Sequence, residues 1–373
     1  MKLIKTEDAV GQVLCHDITQ IIKGVTKDAV FRKGHIITPE DIPVLLSVGK
    51  DNIYVWEKDE NMLHEDEAAD ILRSICQSGN MHATEPKEGK IELIADSDGL
   101  LLIDLERLRA INALGDMMIA TRPSGFMVKK GDKLCGTRVI PLVIAKERME
   151  QAKKLAGSEP IIRLVPVRPR KYGLVTTGNE VFYGRIQDTF TPVVEAKLAE
   201  FGCEMAEHVV LNDDHEKITA AIKKMLDDGC EMVFCSGGMS VDPDDKTPLA
   251  IKNTGAKIVS YGAPVLPGAM FLVSYYPDGR PICGLPGCVM YAKRTIFDLV
   301  LPYLVTDTPV TAKWLGGAFP QLRLRKRSIK HARPIRAQDR LYAHFRNRPL
   351  QSAVHVLHAG GCGVCKPLRC AAV

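Results

Sequence analysis

Aromatic residues are scarce in this 373-residue chain: they make up 6% of it, with two tryptophans, against an apolar content of 46%. The interleaved rings of a single-strand nucleic-acid platform are therefore missing. Long apolar runs are missing too. The best, from Thr295 to Val305, is too short for a membrane span and carries Asp298. The opening MKLIKTEDAVGQ has a lysine with no apolar stretch behind it, so a secretory leader is not expected and a cytoplasmic location is. Neither GxGxxG after the first strand nor GxxxxGK followed by Ser or Thr occurs, which removes the main support for a redox or kinase reading. The 11 cysteines lack paired spacing through most of the chain and read as reduced, mostly buried thiols.

Acid is short in one region only. Residues 321–373 hold 12 of the 50 Lys and Arg but a single acid, Asp339, out of 45 Asp and Glu. The formal charge of +5 thus belongs to a basic tail, and the body is mildly acidic. Such a tail can meet nucleic acid or an anionic membrane, but the commoner reading is a solvated, poorly ordered segment. A shift of reading frame after Leu315–Gly316–Gly317 is a third reading. Cys362, Cys365 and Cys370, with His355 and His358, make a weak zinc-ligand pattern.

Residues 1–170 read as a mixed α+β region. In 37–57, Thr38 can cap a helix whose first position is Pro39, Gly49 ends it, and NIYVW is a strand. A second helix is expected over 64–79, a strand and turn in GKIELIADSDGL, a helix in DLERLRAIN, and strands through 126–147. Charged, Pro-bearing RLVPVRPRK (163–171) reads as a linker. From Tyr172 strands and helices alternate, as a mostly parallel sheet covered on both faces requires. Thr191 caps one helix with Pro192 at its start, and a last helix runs through CVMYAKRTIFDLVLPYL. The expected fold is α/β: a three-layer α/β/α domain over 171–306, preceded by the mixed region 1–170 and followed by the tail 307–373.

Ligands of such sheets bind beyond the carboxyl ends of the strands. Three glycine turns fall there: TTGNE (176–180), SGGMSVDPDD (236–245) and GLPGC (284–288). Glycine lets backbone N–H groups approach an anion, and a following helix adds positive charge. Carboxylates beside a phosphate are repulsive unless a divalent cation bridges them, and Mg²⁺ takes one or two carboxylates plus substrate oxygens. Glu180 and Asp245 are the best candidates. Asp242 and Asp244 read as caps of the next helix facing water, and Asp245 is equally well a cap or a ligand. Cys288, placed at a helix start, reads as a thiol of lowered pKa or as a small packed residue, the second being commoner.

Together, Thr177–Gly178–Asn179–Glu180, Ser236–Gly237–Gly238–Met239–Ser240–Val241 with Asp245, and Gly284–Leu285–Pro286–Gly287 resemble the molybdopterin-binding domain of the molybdopterin molybdenumtransferase (MoeA-type) family. Its pattern is Thr-Gly-Asp-Glu, Ser-Gly-Gly-Val-Ser-Val with a following aspartate, and Gly-Leu-Pro-Gly. The resemblance covers 171–306 in order and spacing; 1–170 resemble the family's N-terminal region more loosely. It implies binding of adenylated molybdopterin and insertion of molybdate with release of AMP and help from Mg²⁺. Glu180 and Asp245 would hold the cation or orient water, as catalytic and metal residues. Thr177, Gly178, Ser236, Gly237, Gly238 and Ser240 would cradle pterin or phosphate, with Pro286, Gly287 and Cys288 at the wall. A homodimer and a molybdoenzyme partner are implied as well, with no membrane, and nucleic acid disfavoured. The sequence departs from the pattern at Leu266–Pro267–Gly268–Ala269–Met270, where the family has Lys-Pro-Gly-Lys-Pro, so binding transfers better than catalysis. Arg185, Lys246 and Lys293 are the cations that could compensate. The alternative is a non-catalytic carrier or chaperone of the pterin for a molybdoenzyme.

Overall fold

The computed structural model describes residues 2–317, apart from 23–25, 56–59, 241, 243 and 244, all within one unit of the chain, residues 1–324. The basic body of the tail, with Cys362, Cys365 and Cys370, lies outside the described residues, as does Asp244.

Before residue 171 the sheets are small and antiparallel. Lys2–Lys5 pairs with Asn52–Val55 and Ile18–Ile22 with Thr26–Phe31 around a core that includes Leu14, Ile37, Leu45 and Ile53. A four-stranded and a three-stranded sheet follow, packed with the helices Glu65–Cys76, Leu105–Asn112 and Lys146–Ala156. Lys90–Ala95 shows why: alternate residues Ile91, Leu93 and Ala95 are buried and the others are not, the period of a half-covered strand. The mixed α+β expectation holds here, with two corrections. The helix expected from Pro39 begins at Asp41, whose carboxylate turns back to accept from the Thr38 N–H at 2.8 Å. The expected linker is a strand for half its length: Ile162–Pro166 pairs antiparallel with Gly99–Ile103. Its proline falls at the last position of that ladder, where it interrupts nothing further.

The second half is one six-stranded sheet. Its strands in chain order are β1 (Lys171–Thr177), β2 (Glu204–Leu211), β3 (Met232–Ser236), β4 (Lys257–Tyr261), β5 (Leu272–Tyr275) and β6 (Pro281–Leu285). They lie side by side in the order β2-β1-β3-β6-β5-β4. The first four run parallel; β5 runs antiparallel to β6, and the edge strand β4 runs antiparallel to β5 and so along the first four. The helices are α1 (Asn179–Phe182), α2 (Thr191–Ala199), α3 (His215–Asp227), α4 (Thr247–Asn253) and α5 (Ile296–Leu304). Side chains of β3 alternate between two cores. Met232 and Phe234 face α2 and α5; Val233 and Cys235 face α3 and α4. Helices thus cover both faces, the three-layer arrangement expected. Ile218, Ile222, Met225 and Leu226 of α3 are buried, each contributing about 1.5–3 kcal/mol.

The last helix begins at Ile296 rather than Cys288. Thr295 accepts from the Phe297 N–H at 3.2 Å and Asp298 returns to the Thr295 N–H at 2.7 Å, a capping box that fixes the start. Residues 287–289 form only a single 3₁₀ turn. Thr191 does not cap α2 either. Asp188 does that work, accepting from the N–H groups of Phe190 and Thr191 at 2.8 and 3.0 Å. Val310 and Leu315 are buried in the core that α5 builds, so ordered structure runs past residue 306 to 317.

Candidate functional site

Register brings the three turns together. Thr176 of β1 lies opposite Ser236 of β3, which lies opposite Leu285 of β6. One step beyond this row come Thr177–Gly178, Gly237–Gly238 and Pro286–Gly287. Gly237 has φ +84°, and a Cβ there would overlap the Thr177 carbonyl oxygen, so only glycine lets the second turn rest on the first. Thr247, the first residue of α4, ties the pair. Its Oγ1 lies 3.2 Å from Thr177 Oγ1 and donates to the Gly237 carbonyl at 2.9 Å, while its N–H donates to the Gly238 carbonyl at 3.3 Å. Both carbonyls of the second turn are thereby turned toward α4. Met239 packs over Gly284 of β6, in space that any side chain at 284 would fill, and joins the second turn to the strand that carries the third.

Below the first turn is a polar floor. Asp188 Oδ2 accepts from the hydroxyls of Thr191 at 2.5 Å and Thr176 at 3.2 Å. With both hydroxyl protons committed, His208 Nε2, 3.0 and 3.1 Å from those same oxygens, must carry hydrogen and donate. Ser236 donates to Thr176 at 3.4 Å, which extends the network to β3. Burial pushes the Asp188 carboxyl up, but the hydrogen bonds from Thr191, Phe190 and Thr176 outweigh it and hold it below the usual range. Sequence reading missed this floor because its members come from three elements and no spacing joins them.

The expected site residues fall as follows. Thr177, Gly178, Ser236 and Pro286 are buried; Gly287 and Ser240 are exposed, and the Ser240 carbonyl accepts from the Tyr261 hydroxyl at 3.2 Å. Glu180 is exposed on α1. Asp245 is half-buried, and its Oδ2 is buried with no hydrogen-bond partner. No bond joins Glu180 to Asp245. Asp242 faces water, and its carbonyl, not its carboxylate, is used, accepting from the Asp245 N–H at 3.0 Å. One expectation for the first turn fails. The Asn179 N–H, one of the backbone donors beside Gly178, is taken by Asp213 Oδ2 at 3.0 Å. Cys288 also departs from its reactive reading. It is half-buried, burial pushes its thiol up, and no long helix starts there to lower it. Among the described residues no group of three or more His, Cys, Asp or Glu is arranged to hold a metal ion, and no helix is long and apolar enough to cross a membrane.

Comparison with known proteins matches residues 173–306 to the family described as a probable molybdopterin binding domain, and residues 3–57 to a domain of unknown function. A CinA-like protein of Mycobacterium avium is 36% identical over 83 residues, 22% of this chain and 19% of that protein. A molybdopterin molybdenumtransferase of Synechococcus elongatus is 25% identical over 195 residues, 49% of this chain and 46% of that protein. The chain thus spans about a fifth to a half of the length of the curated relatives it matches. The crystal structure of the molybdopterin biosynthesis enzyme MoaB from Thermus thermophilus is similar with a TM-score of 0.31 at 22% identity, covering 38% of this chain and 98% of that one.

Proposed function

We propose that this chain, whose residues 173–306 match the probable molybdopterin binding domain, is a MoeA-type protein of molybdenum-cofactor biosynthesis that inserts molybdate into adenylated molybdopterin with release of AMP. The observation that carries the reading is the convergence of three glycine turns on one rim, locked by Thr177, Gly237 and Thr247. Donors on that rim would face the phosphates of the ligand, and electrostatic stabilisation of charge is what phosphate-bond cleavage asks of a protein.

The residues present fit a divalent cation in one respect. Asp245 Oδ2 is buried and has no hydrogen-bond partner among the described residues, which leaves a lone pair available to a cation. Asp245 and Glu180 would hold Mg²⁺ together with oxygens of the substrate, since the described residues offer no fuller set. When bound, the ion would neutralise phosphate charge. The chain's own part is to orient: Thr247 and Thr177 fix the second turn, and the His208–Asp188 floor fixes the first.

The second reading, a carrier or chaperone that holds the pterin for a molybdoenzyme, is favoured by one feature. Leu266, exposed, and Ala269 stand where the family pattern has lysines. Mixing the purified chain with adenylated molybdopterin, molybdate and Mg²⁺ separates the two. AMP release supports insertion; stable binding without AMP supports the carrier; failure to bind removes both. A cytoplasmic location, a homodimer and a division at residues 170 and 306 belong to the same proposal.

A further inference from the structure

Beside the rim stands a guanidinium with no counter-ion. The loop 183–190 leaves the first turn with its backbone folded onto Glu180, whose carbonyl accepts from the N–H groups of Arg185 at 2.9 Å and Ile186 at 3.2 Å. The loop then reaches the polar floor through Asp188. Next to it, the Thr189 hydroxyl lies 2.9 Å from the sulfur of Met290, three residues beyond Gly287. It therefore runs from the first turn to the segment behind the third, tied at both ends. In its middle the Arg185 guanidinium lies 5.4 Å from the centre of the Tyr183 ring, which itself packs edge-on to Phe182 at 5.1 Å. Tyr183 is 60% exposed, so the stacked pair faces solvent beside the turns.

No carboxylate pairs with Arg185 among the described residues. Other cations near the rim are differently placed. Lys197 is held by Asp298 and the Lys293 carbonyl, Lys246 is already engaged, and the Lys293 side chain is exposed with no ring to orient it among the described residues. A guanidinium oriented on a ring, with its planar fork unpaired, suits a phosphate monoester, which it can meet with two parallel hydrogen bonds.

We infer that Arg185, oriented by Tyr183, is a specificity-determining residue that takes the phosphate monoester of a pterin ligand at this rim. The inference rests on the pterin-binding reading above.

The test uses two fluorescent probes, 6-hydroxymethylpterin phosphate and unphosphorylated 6-hydroxymethylpterin, titrated into the full chain. The unaltered protein is expected to prefer the phosphate ester by about tenfold or more. Arg185→Ala should bring that ratio to about one while leaving affinity for the alcohol unchanged. Arg185→Lys should keep about a third of the preference, since the charge stays and the fork goes, and Tyr183→Ala should lower it about threefold. A ratio that survives in Arg185→Ala, or no preference in the unaltered protein, overturns the role of Arg185 and leaves the pterin reading standing. Binding of neither probe overturns both.

Discussion

Around Lys33 and His64 the side chains meet one another, whereas at the sheet rim a carboxylate oxygen and a guanidinium have no hydrogen-bond or ion-pair partner among the described residues. At the first place His64 Nε2–H donates to the Cys15 carbonyl at 2.8 Å, and Nδ1 receives the Asp66 N–H at 3.2 Å and the Lys33 ammonium at 3.1 Å. Lys33 also reaches Asp66 Oδ2 at 3.3 Å, and Asp66 Oδ1 accepts the Gly89 N–H at 3.1 Å. The imidazole thereby carries hydrogen on Nε2, and these bonds join the turns at Cys15 and Lys33 to the start of the helix Glu65–Cys76. At the second place Asp245 and Arg185 are held in position by backbone and ring contacts, but Asp245 Oδ2 and the Arg185 guanidinium have no hydrogen-bond or ion-pair partner among the described residues. Polar groups that close on one another hold structure together; polar groups positioned without partners wait on a ligand. The same few residue types serve both purposes, and at these two places the hydrogen bonds made around Lys33 and His64 contrast with the unpartnered Asp245 Oδ2.

Breaking the rim should give the largest effect. Gly237→Ala adds a methyl that overlaps the Thr177 carbonyl and forces a side chain into φ +84°. It is expected to cost about 3 kcal/mol in urea unfolding and to abolish pterin binding. Gly131→Ala sharpens the point. Its φ is +83° but nothing lies within 4 Å of the new methyl, so only backbone strain remains, about 1 kcal/mol. Equal costs for the two variants would mean that the second turn does not rest on the first.

The junction makes a different prediction. Burial, then Asp66 and Glu88, raise the Glu65 carboxyl to about 7 against the opposing charges of Arg138 and Lys33. A carboxyl whose folded pKa lies above its unfolded value of 4.5 binds more protons when folded. The contribution of Glu65 to stability should therefore be fully present below about pH 4.5, fall as pH rises to about 7, and be lost above. Partial solvent screening limits the fall to on the order of 2 kcal/mol. Glu65→Gln should flatten the profile and stabilise the protein at pH 8. Denaturant titrations of both proteins across that window test it, and parallel profiles would remove Glu65 from the account.

The sheet was legible because its strands are short apolar runs that end in glycine turns, and Met232 to Ser236 is buried throughout. The mates of those strands were legible only in outline: nothing in Lys171–Thr177 announces that it pairs on both sides. Helix starts were misplaced wherever the capping carboxylate sat off the expected position. Asp188 precedes Thr191 by three residues, and Asp298 follows Thr295 by three, so the second signal was present as Thr-x-x-Asp and was passed over. The three turns of the candidate site could be read because each is contiguous. The floor of Thr176, Asp188, Thr191 and His208 could not, nor could the Asp213 carboxylate on Asn179 N–H, because partners on separate elements leave no spacing to read. The same holds for the junction, where Cys15, Lys33, His64 and Gly89 meet only after folding.

Cys288 gives the smallest expected effect and a useful limit on the comparison. A helix start would have lowered its pKa and made it nucleophilic; the single 3₁₀ turn and its burial act the other way and keep the thiol protonated near neutral pH. It belongs with the satisfied groups rather than with Asp245 and Arg185, although it sits beside Gly287. Cys288→Ser should change pterin affinity by less than about twofold and stability by less than about 1 kcal/mol, since the two side chains are nearly the same size. Alkylation by iodoacetamide at pH 7 should likewise be no faster than that of an ordinary thiol. A large loss of affinity in the serine variant, or rapid labelling, would place the thiol among the groups that face a ligand and would mean that proximity to the turns, not the completeness of a residue's own contacts, marks the functional side of this rim.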